Sequence, residues 1–325
     1  MDTYVAAILT DIHGKIKEMH RIFHHMKNLP GQVKDMFFLG DAIGYGPDQL
    51  KCFDILRRYS ETFLPGNHEY MLKLLLAYPK KRKELLNAGV DERAVQTIET
   101  TINQLIGKTT LSAGRTKINL PAESYENLQK ENYPAILAEE LLTKIIPEIN
   151  VASPEISWLK KQIPEDKMQQ IGLEYTVKLF AKHPACLEEY RTRMKRRERA
   201  VDIFNFLDEI NKEKTMRLVN AIFVHDDPLQ PGSQKYLVDD ETAKKLHIEP
   251  SNRVILSRIN KKNFPGIEYI FVGHSHIPAR IVDINGINIV YCGGTDPRGN
   301  PKKNSYVLAQ IKQAKVSKVV PVLVS

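Results

Sequence analysis

Short apolar runs alternate with amphipathic helical patterns over residues 4–70, which predicts an α/β protein with helices on the faces of a parallel or mixed sheet. Three of those runs end in polar clusters: Asp11-Ile12-His13-Gly14, Gly40-Asp41 and Gly66-Asn67-His68-Glu69. The pattern returns near Asn220, with further apolar runs ending at His225 and at Gly273-His274-Ser275-His276. Ligands of such sheets sit beyond the carboxyl ends of the strands, so polar clusters at successive strand ends are expected to converge in space.

The elements follow in order. Tyr4 to Thr10 has strand length, and Ile16, Met19, Ile22, Phe23 and Met26 recur at helical spacing until Pro30-Gly31 breaks the pattern. Asp35 to Leu39 is the second strand; a loop over residues 42–48 leads to a helix with Leu50, Phe53, Ile55 and Leu56 on its apolar side. Thr62 to Pro65 reads as the end of a third strand, and Gly66-Asn67-His68-Glu69 as a glycine-started loop beyond it. From Tyr70 to Arg217 the pattern is helical and charged with few convincing strands. Its clearest piece is an amphipathic helix from Glu188 to Glu213, with Tyr190, Met194, Val201, Phe204, Leu207 and Ile210 on one face. Its other face carries Arg191, Arg193, Lys195, Arg196, Arg197 and Arg199, read first as a solvated surface. Strands resume at 220–224, 269–272, 280–284, 287–291, 305–312 and 316–324. Asn285-Gly286 is a strong hairpin signal.

Composition bounds the function. A chain of 325 residues with 42% hydrophobic and 26% charged residues is that of a globular protein with ample material for a core. The net charge of +8 favours anionic partners such as phosphorylated substrates or nucleic acid. No aromatics interleave with the arginines of 191–199, so base stacking has no support there. No run approaches the roughly 18 apolar residues of a membrane span, and Val5 to Leu9 is too short for a signal sequence. Cys52, Cys186 and Cys292 are few, odd in number and far apart, which points to a reducing cytoplasm.

Asp11, His13, Asp41, Asn67, His68, His225, His274 and His276 combine carboxylates, imidazoles and one amide without a thiolate. That set suits divalent Mn, Fe, Zn or Ni and is too imidazole-rich for calcium. It is large enough for two metals sharing a carboxylate, a device for in-line displacement at phosphorus when the ions lie about 3.5–4 Å apart. In Gly273-His274-Ser275-His276 an extended backbone would turn both imidazoles to one side. Asn67 suits a metal through its carbonyl oxygen, leaving His68 to handle a proton.

The ordered series Asp-Ile-His-Gly, Gly-Asp, Gly-Asn-His-Glu, single His and Gly-His-Ser-His resembles the calcineurin-like metallophosphoesterase superfamily. The loop Gly40 to Pro47 and the tail Pro297-Arg298-Gly299-Asn300-Pro301 resemble its small prokaryotic members, labelled phosphodiesterases or serine/threonine-phosphatase relatives. The resemblance covers roughly residues 4–70 and 219–311. It implies a four-layer αββα sandwich of two mixed sheets. It also implies Asp11, His13 and His276 on one metal, Asn67, His225 and His274 on the other, and Asp41 bridging. A hydroxide between the metals would attack phosphorus, with His68 donating a proton to the leaving oxygen or stabilising charge on the phosphoryl group.

The chain departs from the pattern in several places. Protein phosphatases carry an Asp and an Arg in the loop after the bridging carboxylate, where this chain has Gly44 and Tyr45. Asp226-Asp227 replaces a glycine of many relatives, read here as a turn before Pro228. Arg298 and Tyr45 are candidate substrate contacts. The stretch between His68 and His225 is long for the small relatives. The expected organisation is therefore a core of 1–70 and 218–325 with a mostly helical insertion or cap at 71–217, of which 151–164 returns to the core. The expected activity is hydrolysis of phosphodiester or nucleotide-type substrates. The alternatives are a phosphomonoesterase or protein phosphatase, and a non-catalytic scaffold that binds a partner.

Overall fold

A computed structural model describes residues 3–107, 109–113, 116–120, 129, 184–295 and 304–324. The chain divides into two compact units: one holds residues 1–75, 80–98 and 206–325, the other residues 76–79 and 99–205.

The larger unit contains two mixed five-stranded sheets. In the first, β1 (Thr3–Leu9), β2 (Val33–Phe38) and β3 (Thr62–Phe63) run parallel. β11 (Asn304–Lys312) and β12 (Lys315–Val324) extend it antiparallel on the other side of β1. The second sheet has the order β6 (Thr215–Leu218), β7 (Ala221–Val224), β8 (Tyr269–Val272), β10 (Ile287–Tyr291), β9 (Arg280–Ile284). Its three central strands are parallel and the outer two antiparallel.

Alternation of side chains along the strands builds the layers. Ala6, Ile8, Phe37, Val307 and Ala309 of the first sheet meet Ala221, Phe223, Phe271 and Val290 of the second in one core. Phe37 meets Phe223 edge-on at 5.5 Å between ring centroids, and Phe223 stacks on Phe271 at 4.4 Å. The residues between, such as Ala7, Leu9, Met36 and Phe38, are buried on the opposite face. There, α1 (Ile16–Lys27) buries Met19 and Ile22, and α2 (Gln49–Tyr59) buries Leu50, Cys52, Phe53 and Leu56. The outer face of the second sheet, with Ile222, Val224, Ile270 and Ile289, packs on Leu237, Val238, Ala243, Val254 and Phe264. Among the described residues its cover is one short helix, α7 (Asp240–Lys245), with single turns at 250–252 and 256–258.

Between the sheets in sequence lie α3 (Asn67–Ala77), α4 (Arg82–Asn87), α5 (Glu92–Ile106), the strand pair β4 (Thr109–Ala113) and β5 (Thr116–Leu120), and α6 (Pro184–Ile210). Three expectations change here. The Gly66-Asn67-His68-Glu69 stretch is the start of α3, not a free loop. Gly66 accepts the first intrahelical bond from Tyr70, and the Glu69 carboxylate reaches back to the Gly66 N–H at 2.9 Å, half of a capping box. The β4–β5 pair interrupts a region read as helical. In α6 the buried residues include Ala200, Ile203 and Leu207, and Arg193 is buried with Glu189 at 3.0 Å rather than solvated. Residues 151–164 lie outside the described residues.

The hairpin at Asn285-Gly286 has both central residues at positive φ, 54° and 77°, as a type I′ turn requires. Cys52 and Cys292 are free and buried.

Candidate active site

Beyond their ends, β1 and β2 continue to zip together. Asp11 N–H donates to Gly40 O (2.9 Å), His13 N–H to Asp41 O (2.9 Å) and Gly14 N–H to Ala42 O (2.8 Å). This pairing places Asp11, His13 and Asp41 side by side. The start of α3 delivers Asn67 and His68 to the same point, where the His68 N–H donates to Asp41 Oδ1 at 2.9 Å. From the second sheet come His225 after β7, and His274 and His276 after β8. The His274 N–H donates to Asp11 Oδ2 at 3.1 Å and ties the two sheets together at the site.

The eight side chains expected from the sequence therefore meet. His13 Nε2 stands 3.0 Å from His276 Nε2, 3.7 Å from Asp11 Oδ1 and 3.8 Å from Asp41 Oδ2. His276 Nε2 is 3.4 Å from Asp11 Oδ1. His225 Nε2 is 3.3 Å from Asp41 Oδ2 and 3.2 Å from Asn67 Oδ1. Donor atoms of Asp11, His13 and His276, of Asp41, His225 and His274, and of His13, Asp41 and His68 form groups within 4.8 Å that can hold a metal. All are buried except Asn67 and His276, which with Tyr45 are half-buried and mark the side open to solvent. Arg298 lies outside the described residues.

Three imidazoles are oriented by backbone carbonyls. His13 Nδ1 faces Ile43 O at 3.1 Å, His225 Nδ1 faces Leu39 O at 2.7 Å, and His274 Nε2 faces Gln234 O at 3.1 Å. A carbonyl can only accept, so each of these nitrogens carries a proton and the other ring nitrogen is turned toward the site. Such outer-shell carbonyls are what fix histidine ligands on metals.

Electrostatics agree. Burial opposes ionisation of Asp11, but the His276 and His13 imidazoles beside it prevail and hold its carboxyl down at about 2. Asp41 is likewise buried yet held well below the carboxylate range, chiefly by His225 and His68. Burial disfavours charge on His225, but Asp41 outweighs it and pushes the imidazole up to about 10. His68 and His274 are pushed down to about 3, first by burial; neighbouring histidines add to the shift, and the nearby aspartates oppose it. Asp11 Oδ1 and His68 Nδ1 are buried without a hydrogen-bond partner among the described residues. Two buried carboxylates, the ring nitrogens of His13 and His276 facing each other at 3.0 Å and a carboxylate oxygen without a hydrogen-bond partner among the described residues are a donor set that fits divalent cations.

The backbone is strained where the chemistry converges. Asp11, His13, Asp41, His274 and His276 all have φ between 50° and 61°, a region that costs a non-glycine residue energy and that clusters at functional sites. The extended Gly273–His276 expected from the sequence is corrected accordingly: Ser275 N–H bonds Gly273 O at 2.5 Å, a tight turn centred on His274.

Further residues complete the site, among them Asp226 and Asp227, which form the turn expected from the sequence. The buried Glu69 accepts from the N–H groups of Asp41 (2.7 Å), Ala42 (2.9 Å), Ile43 (3.3 Å) and Gly66 (2.9 Å), so one carboxylate moulds the Asp41 loop and the start of α3 together. The only sequence signal for it was a Glu three residues into a helix, a pattern hidden while Gly66–Glu69 was read as a loop. Tyr236 stacks on His274 at 4.4 Å. Asp226 and Asp227 accept from the backbone N–H groups of Gly232, Gln234 and Leu229, which makes them builders of the 228–234 turn that delivers the Gln234 carbonyl. A Cβ on Gly44 would strike the His13 ring, so the acidic side chain of protein phosphatases has no room there.

A family model for calcineurin-like phosphoesterases matches residues 5–278. The chain belongs to that family. An uncharacterized protein of Methanocaldococcus jannaschii is 31% identical over 64 residues, 20% of this chain and 26% of that protein's length. Among solved structures, a metallophosphoesterase from Sphaerobacter thermophilus is 15% identical with a TM-score of 0.46, over 100% of this chain and 89% of its own. A protein serine/threonine phosphatase from Saccharomyces cerevisiae is 10% identical with a TM-score of 0.38, over 99% and 79%. Likenesses this loose do not bear on substrate. No helix of the described residues is long and apolar enough to cross a membrane.

Proposed function

We propose that this site hydrolyses phosphodiester or nucleotide-type substrates with two divalent ions, drawn from Mn, Fe, Zn or Ni. The observation that carries the reading is the meeting of eight side chains from five segments, three of their imidazoles aimed by backbone carbonyls. Asp11, His13 and His276 would hold one ion, Asn67, His225 and His274 the other, and Asp41 would serve both.

When bound, the ions supply a lowered pKa for water and positive charge opposite the phosphoryl oxygens. The protein supplies the rest. Asp41, fixed through its own N–H by Glu69, sets the spacing of the two donor groups. His68 is buried and uncharged near neutral pH, packed edge-on against His13 at 4.8 Å and Tyr45 at 5.2 Å. It is positioned to donate an N–H toward the phosphoryl or leaving oxygen rather than to ligate metal. Tyr45 borders the open side and contacts substrate. The diester preference rests on the absence of the phosphoprotein-type Asp and Arg, replaced by Gly44 and Tyr45, and on the basic charge. Phosphomonoesters, phosphoproteins included, are the second reading. The cytoplasm is the expected compartment, and the helical insertion the expected cap or partner-binding surface.

The test compares hydrolysis of bis(p-nitrophenyl) phosphate and p-nitrophenyl phosphate with added Mn, alongside metal analysis. Metal-dependent turnover with the diester ahead is expected. Absence of turnover on both substrates overturns the reading, and a dominant monoester rate transfers it to the second class.

A further inference from the structure

We propose that Arg93 grips a non-bridging phosphate oxygen of the substrate, taking the part that the loop after Asp41 lacks. This rests on the phosphoesterase reading above.

Arg93 comes from α5, far in sequence from every recognised motif, yet its guanidinium carbon lies over the Tyr45 ring at 5.4 Å from the centroid. Two further contacts of that ring lead to the chemistry: His68 at 5.2 Å and His13 at 5.1 Å. The guanidinium is thus one aromatic ring from the catalytic candidate, on the half-buried side where substrate enters.

Three features argue that the charge is there for a ligand. Asp91 accepts from the Arg93 N–H at 2.8 Å and from Val95 N–H at 3.1 Å, so Asp91 caps α5 and Arg93 falls in its first turn. A cation at a helix N-terminus opposes the helix dipole, so Arg93 does not serve the helix. Arg93 is exposed, and among the described residues no carboxylate pairs with it, whereas Arg82 on α4 faces Glu92. Finally, a guanidinium laid on an aromatic face keeps its N–H groups directed outward in its own plane, the arrangement that grips phosphate oxygens through two parallel bonds. Asp11 and Asp41 bring negative charge to the centre of the site, and Arg93, laid on Tyr45, brings a guanidinium to its rim.

The experiment uses the full chain loaded with Mn. For Arg93→Ala, KM for the nitrophenyl substrates and the inhibition constant of inorganic phosphate should both rise by about tenfold or more, with kcat changed by less than about threefold. Arg93→Lys should recover part of the loss, since it restores charge without the fork. Tyr45→Ala should raise the same constants, and the double variant should lose less than the product of the two single losses. Circular dichroism melts should be unchanged, as the side chain is exposed. KM and phosphate inhibition within about twofold of wild type in Arg93→Ala, with wild type active, overturn the proposal and leave the phosphoesterase reading intact. If wild type proves inactive, calorimetric titration of inorganic phosphate into the Mn-loaded protein decides. Binding weakened in Arg93→Ala supports the grip, and binding that is equal or absent in wild type overturns it.

Discussion

His68 sits at the centre of the site with one ring nitrogen, Nδ1, unpartnered among the described residues, although the side chain is buried. A buried polar atom left without a partner costs stability, so its retention speaks for a role with substrate. Changing His68 to Ala should lower kcat by about 10²–10⁴-fold while metal content measured by atomic emission stays at the wild-type level. Loss of metal in step with activity would make it a ligand instead. Glu69 poses the complementary case. Its four hydrogen-bond partners are all N–H donors, which match a carboxylate, while burial and the nearby Asp41 charge push the carboxyl up to about 7. Glu69→Ala should destabilise the fold by about 3–5 kcal/mol in urea unfolding and release metal, with Glu69→Gln intermediate. Stability unchanged in Glu69→Ala would remove its organising role. The ligand-type residues were legible because the chemistry fixes their identity and strand ends fix their place. The roles of Glu69 and Tyr236 were not, since the capping signal of Glu69 is hidden when Gly66–Glu69 is read as a loop, and a ring stacked on an imidazole leaves no spacing pattern to read.

At the scale of elements, α1 and α2 were legible from apolar residues three and four apart, and the strands of both sheets from apolar runs with turn residues between them. The start of α3 was missed because glycine and asparagine are turn formers, while its cap depends on a side chain reaching back from position 69. The burial of Arg193 was missed because charge suggests solvent, whereas an ion pair one helical turn away satisfies it inside. The connection of β11 to β12 shows what a turn signal can hide. Gln313 and Ala314 take φ of 51° and 55°, conformations that glycine adopts freely and that strain a side chain. Ala314→Gly should therefore stabilise the protein by about 1 kcal/mol and raise Tm by a few degrees, read by calorimetry. A lowered Tm would mean that the turn owes its shape to something other than local backbone preference.

For the molecule as a whole, the site closes only when both sheets are in place, since His13 and His276 meet across 263 residues of chain. Ions that bind this assembly and not the unfolded chain stabilise it by mass action. Mn at about a hundred times its dissociation constant should add about 2.7 kcal/mol, and chelation should remove it, reported by a concentration-dependent Tm. A Tm independent of Mn and chelator would mean that the clustered donors hold no ion in the native state. Sequence alone marked the stretch between His68 and His225 as the novel part but not its division. The compact unit with the sheets also takes in residues 80–98, the segment that carries Arg93.

The left-handed backbone at Asp11, His13, Asp41, His274 and His276 has a consequence for selection. Each of these conformations costs about 1–3 kcal/mol that a glycine or asparagine would largely avoid. Drift under pressure for thermostability alone, with metal withheld, would then favour substitutions such as His276→Asn and carry the lineage toward sturdier proteins that no longer bind metal. The same scaffold thus stands a few substitutions from an inert descendant, and only continued demand for hydrolysis keeps it from sliding there.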